Sequence, residues 1–232
     1  MLMDIFSSFD EQNFTILKKI PLIWMMSALP LYYIQSLYWS GSSRWAAFVI
    51  KIKGFMMMQA MRTKGGSMSG FNNAVISIFM MLIIMNLLGL SPYVFSITSH
   101  LVFAFSFGLP LWFALILSGV FFNLKSVVSH FLPSGAPSVL NPFLVLVETV
   151  SISVRPITLS IRLTANMSAG HIILGLIGAY LSAGIFSYSS IIILLLIFIE
   201  IFYFMFEVGV SLIQAYIFSL LITLYSDDHP EL

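Results

Sequence analysis

Five long apolar stretches, at about 20–38, 73–90, 101–122, 139–181 and 187–226, decide what this chain can fold into. A helix needs about 20 apolar residues to cross the roughly 30 Å hydrocarbon core of a bilayer. Hydrophobic residues make up 59% of the chain and charged residues only 8%. An ordinary soluble domain carries roughly 25% charged residues, so these residues cannot supply a surface that water would tolerate. The expectation is an all-α integral membrane protein, one domain over 1–232, with the lipid bilayer as its solvent. No internal repeat or low-complexity linker divides it.

Several classes fall away at once. A net charge of +1 leaves no basic face able to neutralise a run of phosphates, so nucleic acid is not an expected partner. The absence of cysteine removes disulfides and thiolate metal sites; no cofactor and no metal are expected. Residues Met1 to Gln12 carry Asp4, Asp10 and Glu11. They lack the basic-then-apolar order of a secretory signal and the arginines of a transit peptide. That points to insertion without cleavage, or to synthesis in the compartment where the chain works.

Between the first two stretches, Gly41 to Gly70 carries Arg44, Lys51, Lys53, Arg62 and Lys64 and no acid. Arg44, Lys51 and Arg62 fall within about 20° on a helical wheel, and Trp45, Phe48, Val49, Phe55 and Met56 supply apolar surface. This predicts a basic amphipathic helix over about 43–64, lying on the membrane surface; a basic loop is the alternative. The positive-inside rule puts the segment on the cytoplasm-equivalent side. Counting spans then puts the N-terminus outside and the C-terminus inside, with the Asn123 to Pro137 loop and Lys125 also inside. Lys18 and Lys19 run slightly against that count.

The last two stretches are too long for simple crossings, because about 40 helical residues span about 60 Å. Two long helices, steeply tilted and forming a hairpin, are expected, with Pro156 kinking the first without necessarily ending it. A helix lying along the bilayer needs a partner with a curved flank, and a ring of helices is one such partner.

Those two segments also hold the ionisable groups. An arginine at mid-bilayer costs at least about 2.5–3.5 kcal/mol to insert, and such residues usually serve a path, a pair or a relay. Glu148, Arg155 and Arg162 recur at seven-residue spacing, drift only about 20° per step and form one stripe. Glu200, Glu207 and Gln214 repeat that spacing on the other segment. Asn166 lies one turn beyond Arg162, whereas His171 is about 180° round the same helix. Ser160, Thr164 and Ser168 recur every four residues, as do Ala165 and Ala169, so another helix can approach closely, within the chain or from a partner. The alternative for the charges is a set of internal ion pairs, such as Arg155 with Glu148 or Glu200.

The run Ser160-Ile161-Arg162-Leu163-Thr164-Ala165-Asn166-Met167-Ser168-Ala169-Gly170-His171 resembles the RLTAN-x-x-AGH signature of the mitochondrial ATP synthase subunit a family (ATPase subunit 6). Glu207 followed by Leu212-Ile213-Gln214-Ala215-Tyr216-Ile217-Phe218 resembles its last-helix signature. Asn86-Leu87-Leu88-Gly89-Leu90-Ser91-Pro92 and Leu109-Pro110-Leu111-Trp112 match earlier patterns, so the resemblance covers nearly the whole chain in order; the first 70 residues match loosely.

The resemblance implies a proton-translocating stator subunit of the Fo sector, with two offset half-channels, multi-pass in the mitochondrial inner membrane. Its N-terminus would lie in the intermembrane space and its C-terminus in the matrix. It implies the c-ring, subunit b and subunit 8 as partners, protons as the transported ion, and no enzyme activity of its own. Arg162 falls on the essential arginine facing the c-ring carboxylate, and His171 and Glu207 on the half-channel open to the intermembrane space. Asn166 and Gln214 fall on polar positions beside the arginine, and Glu148 on the matrix-side mouth. Arg155 is variable in the family and supporting. Glu200 departs from the family pattern; it is an addition to the channel or a partner for Arg155. A guanidinium is effectively never deprotonated, so Arg162 can attract a carboxylate without relaying protons, whereas His171 has an imidazole that titrates near neutrality when unperturbed. Among rival classes, a secondary transporter predicts inverted repeats, and a membrane-arm subunit of a respiratory complex would lack the two signatures.

Overall fold

The computed structural model describes Phe9 and residues 44–68, 70–91, 94–130, 140–185 and 188–227. The span expected at 20–38 lies outside the described residues. Five α-helices follow one another, and no strand occurs among the described residues: α1 Arg44–Ala60, α2 Phe71–Gly89, α3 Leu101–His130, α4 Asn141–Gly184 and α5 Ser190–Asp227. Four of them, α2 to α5, are long and apolar enough to cross a membrane. The all-α membrane architecture expected from the apolar stretches is the one observed.

A helix occupies the segment expected to lie on the membrane surface: α1, shorter than 43–64. Thr63 Oγ1 donates to Ala60 O at 2.8 Å, and a 3₁₀ turn over Lys64–Ser67 follows. Met56 and Ala60 are fully buried, while Phe48, Ile50, Phe55 and Met58 are exposed beside Lys51. Apolar side chains therefore share the open face with the basic ones, and the amphipathic pattern is mixed. Gly70 starts α2 with φ +86°, a left-handed conformation that glycine adopts without steric penalty.

α3 corrects the expected third span. A span ending at Phe122 and a loop from Asn123 were expected; helix runs through Pro110 and resumes beyond Asn123 to His130. Asn123 alone leaves helical geometry (φ −156°, ψ 92°). Its Oδ1 accepts from the Ser126 N–H at 3.5 Å, in the manner of a cap that restarts a helix.

A core of Met56, Val75, Phe79, Leu82, Leu163 and Phe218, with others, joins α1, α2, α4 and α5. α2 packs along α5, and α4 packs between α3 and α5. At one end of the molecule the Lys64 N–H donates to Asp227 Oδ1 at 2.8 Å, so the basic segment and the end of α5 share that end. At the other end a 3₁₀ turn, Ile97–Ser99, links α2 to α3, and Ser168 Oγ of α4 donates to Ser99 O at 3.2 Å. The first half of α5 has little cover from the rest of the chain: Ile191, Leu194, Phe198 and Phe202 are each well exposed.

Candidate functional site

Small residues decide how α4 sits. Ser160 is fully buried, its Oγ bonded to Pro156 O at 2.8 Å and reaching Ala104 O at 3.4 Å. A Cβ added at Gly108 would lie 2.7 Å from that Oγ, so α3 and α4 cross where neither can carry bulk. Ser168 meets the Ser99 turn. The Ser160/Ser168 stripe is thus spent on packing within the chain. Ala165 and Ala169, on another face, stay exposed.

Side-chain contacts give the register of α4 against α5. The Arg155 guanidinium lies over the Tyr225 ring, 5.2 Å from its centroid. Eleven residues further along α4, Asn166 Nδ2 donates to Gln214 Oε1 at 2.9 Å, and Gln214 is eleven residues back from Tyr225. Next, Gly170 faces Glu207: a Cβ added there would collide with the carboxylate. The two helices run antiparallel, and of the expected polar positions Asn166 and Gln214 meet each other across them.

The charged stripe divides. Arg155 pairs with Glu148 at 3.8 Å, both half-exposed. A pairing of Arg155 with Glu200 is excluded by the register, because Glu200 lies 25 residues from Tyr225 on α5, about 37 Å along a helix. Glu200 is half-buried on the face of α5 that also carries Tyr203 and Glu207. Arg162 is exposed and makes no ion pair among the described residues; Ile161 and Ala165 flank it, exposed as well.

At the end of the molecule near the Ser99 turn, polar atoms are buried without partners among the described residues. Glu207 is only 4% exposed; its Oε1 accepts from the Tyr203 hydroxyl at 2.7 Å, and its Oε2 has no hydrogen-bond partner among the described residues. His171 Nε2 is also buried and without a hydrogen-bond partner among the described residues. It faces Gly89 of α2, and the Phe9 ring stands edge-on to the imidazole with centroids 6.3 Å apart. Glu207 and His171 are neighbours through Gly170 but do not hydrogen-bond each other. Asn86 and Thr98, both fully buried, add two more partnerless oxygens, Oδ1 and Oγ1; Asn86 Nδ2 donates to Ser211 O at 3.2 Å. Buried polar atoms in folded proteins nearly always have partners, often water, so four such atoms at one end mark a place suited to water.

Sequence reasoning passed over Tyr203 and Thr98, and took Asn86 only as part of a family pattern. Tyr203 is four residues before Glu207, the spacing at which helical side chains meet. Asn86 is a polar residue inside an otherwise apolar helix; that signal was present.

A family model described as ATP synthase A chain matches residues 18–227. An ATP synthase subunit a of Locusta migratoria is 38% identical over 98% of this chain and 99% of its own length. One of Aedes aegypti is 36% identical over the same shares, and one of Albinaria caerulea is 42% identical over 80% of this chain and 89% of its own. With the match running from before α1 to the last residue of α5, and with whole-length relatives above a third identical, the chain belongs to the ATP synthase A chain family.

Proposed function

We propose that this chain is the proton-translocating stator subunit of an ATP synthase Fo sector, working in the mitochondrial inner membrane against a rotating c-ring and beside the b and 8 subunits. It binds no nucleotide of its own. The observation that carries the reading is Arg162, a permanent charge exposed on an apolar helix with no ion pair among the described residues. An intramembrane guanidinium needs an anion nearby, and here the anion comes from outside the chain, on a rotor carboxylate.

The spacing along α4 supports the rest. Arg162 is seven residues from Arg155 and eight from Gly170, about 10 and 12 Å along the helix. The Glu148–Arg155 pair lies towards one end and the His171/Glu207 end towards the other. Glu148 serves the matrix half-channel, and His171 and Glu207, among partnerless buried atoms that water would satisfy, serve the half-channel to the intermembrane space. Asn166 and Gln214 hold each other beside Arg162 and brace α4 on α5. The basic α1 and the end of α5 share one end of the molecule, which agrees with both lying in the matrix under the positive-inside rule, and with the N-terminus in the intermembrane space.

Replacing Arg162 with Ala or Lys tests the reading in sealed membranes containing the assembled enzyme. Lysine releases its proton on desolvation and arginine does not. Both variants should assemble and lose proton-driven ATP synthesis. Synthesis at the native rate in Arg162→Ala would overturn the role.

A further inference from the structure

We propose that Tyr203 is a positioning residue of the outer proton path, holding one oxygen of Glu207 so that the other stays free to take and release protons. This rests on the reading of Glu207 as a member of that path.

The two carboxylate oxygens have different surroundings. Oε1 accepts the Tyr203 hydroxyl at 2.7 Å, from one turn earlier on the same helix. Oε2 is buried, has no hydrogen-bond partner among the described residues, and is the nearer of the two oxygens to Gly170 on α4. A carboxylate end group rotates easily. Fixing one oxygen fixes where the other points, and Gly170 leaves the space into which it points. Tyr203 lies on the half-buried face of an otherwise open stretch of α5, in line with Glu200 and Glu207, so the hydroxyl approaches from the uncovered half of the helix while Oε2 looks inward. A proton arriving by water binds Oε2, neutralises the carboxylate and leaves from the same oxygen. The Tyr203 O–H bond stays intact throughout.

The test separates hydrogen bonding from packing. Tyr203→Phe keeps the ring and removes the donor. Tyr203→Gln loses the ring but places an amide donor at the i, i+4 spacing, where such a side chain can reach the acid. Proton-driven ATP synthesis is measured in sealed vesicles, normalised to assembled enzyme, with Glu207→Gln alongside. A hydrogen bond to a charged group contributes enough to slow Tyr203→Phe roughly ten-fold, and Tyr203→Gln should recover most of that loss. The opposite order, with Tyr203→Phe at the native rate and Tyr203→Gln impaired, would mean that the ring only fills space and would overturn the proposal, as would native rates in both. Should Glu207→Gln itself run at the native rate, the outer path is misplaced and the reading beneath this one fails; should only Glu207→Gln be slow, the role of Tyr203 alone is refuted.

Discussion

Adding one methyl group at Gly170 should disconnect the outer proton path without dismantling the helix pair. A Cβ at this position would stand 2.7 Å from Glu207 Oε1 and nearer still to Oε2, closer than unstrained contact allows. Alanine is a better helix former than glycine by about 1 kcal/mol, so α4 itself gains. The clash must be relieved by the carboxylate, which is the end of a rotatable side chain, or by separating α4 from α5. Separation would also pull Asn166 from Gln214 at 2.9 Å; rotation gives up only the bond from Tyr203 at 2.7 Å. Rotation is the smaller loss, at about 1.5–3 kcal/mol for a hydrogen bond to a charged group, roughly ten- to hundred-fold in the occupancy of the productive geometry. The expected phenotype is a chain that assembles at native levels and drives ATP synthesis at least ten-fold slower. Assembly is read on native gels and synthesis from an imposed proton gradient. Native synthesis in Gly170→Ala would refute the reasoning, because it would show that the carboxylate has nothing to lose by moving.

Two further perturbations follow from the same contacts. Gly108→Ala brings a Cβ to 2.7 Å from Ser160 Oγ and should lower the thermal midpoint of the assembled enzyme by an overpacking cost of about 1–3 kcal/mol; adding Ser160→Ala removes the clashing oxygen and should restore about half of it, a coupling visible in a double-mutant cycle. Asn166→Leu and Gln214→Leu each break the 2.9 Å bond between α4 and α5 and leave one amide unpartnered, so each should destabilise by about 1–3 kcal/mol, whereas the double variant should cost less than the two together.

The helices were legible because apolar length is a coarse signal that needs no partner. Their ends were less so: α3 runs past Phe122 because Asn123 caps a new turn with its own side chain, and an asparagine reads equally well as a loop. At the site, seven-residue spacing placed Glu148, Arg155 and Arg162 on one stripe, and Glu148 does pair with Arg155. Spacing within one helix says nothing of the register between two, and so Glu200 stood open as a partner for Arg155 until Tyr225 was found there. Ser160 and Ser168 were ambiguous for the same reason; whether a small residue faces its own chain or another depends on Gly108 and Ser99, far away in sequence. Tyr203 went unread because one tyrosine among 22 phenylalanines and 9 tyrosines attracts no notice.

The faces of α4 give the proposed mechanism its physical logic. Leu159, Ser160, Leu163 and Met167 are buried, and they fix the helix against its own chain. That leaves Arg162 pointing away from the core, at a surface that the other described residues leave uncovered. The titratable pair of His171 and Glu207, the latter packed on Gly170, lies about 12 Å further along the helix. A water chain that satisfied Glu207 Oε2 and His171 Nε2 would therefore end short of the guanidinium. The guanidinium, in turn, repels any excess proton that approached. Each proton is worth about 2.3 kcal/mol per 100 mV of membrane potential, and that energy is lost to heat if a proton can pass straight through. In the proposed mechanism a proton passes from Glu207 to Glu148 aboard a rotor carboxylate that leaves one face of the chain neutral and returns to Arg162 charged, and a ring of such carboxylates must turn for the next proton to follow.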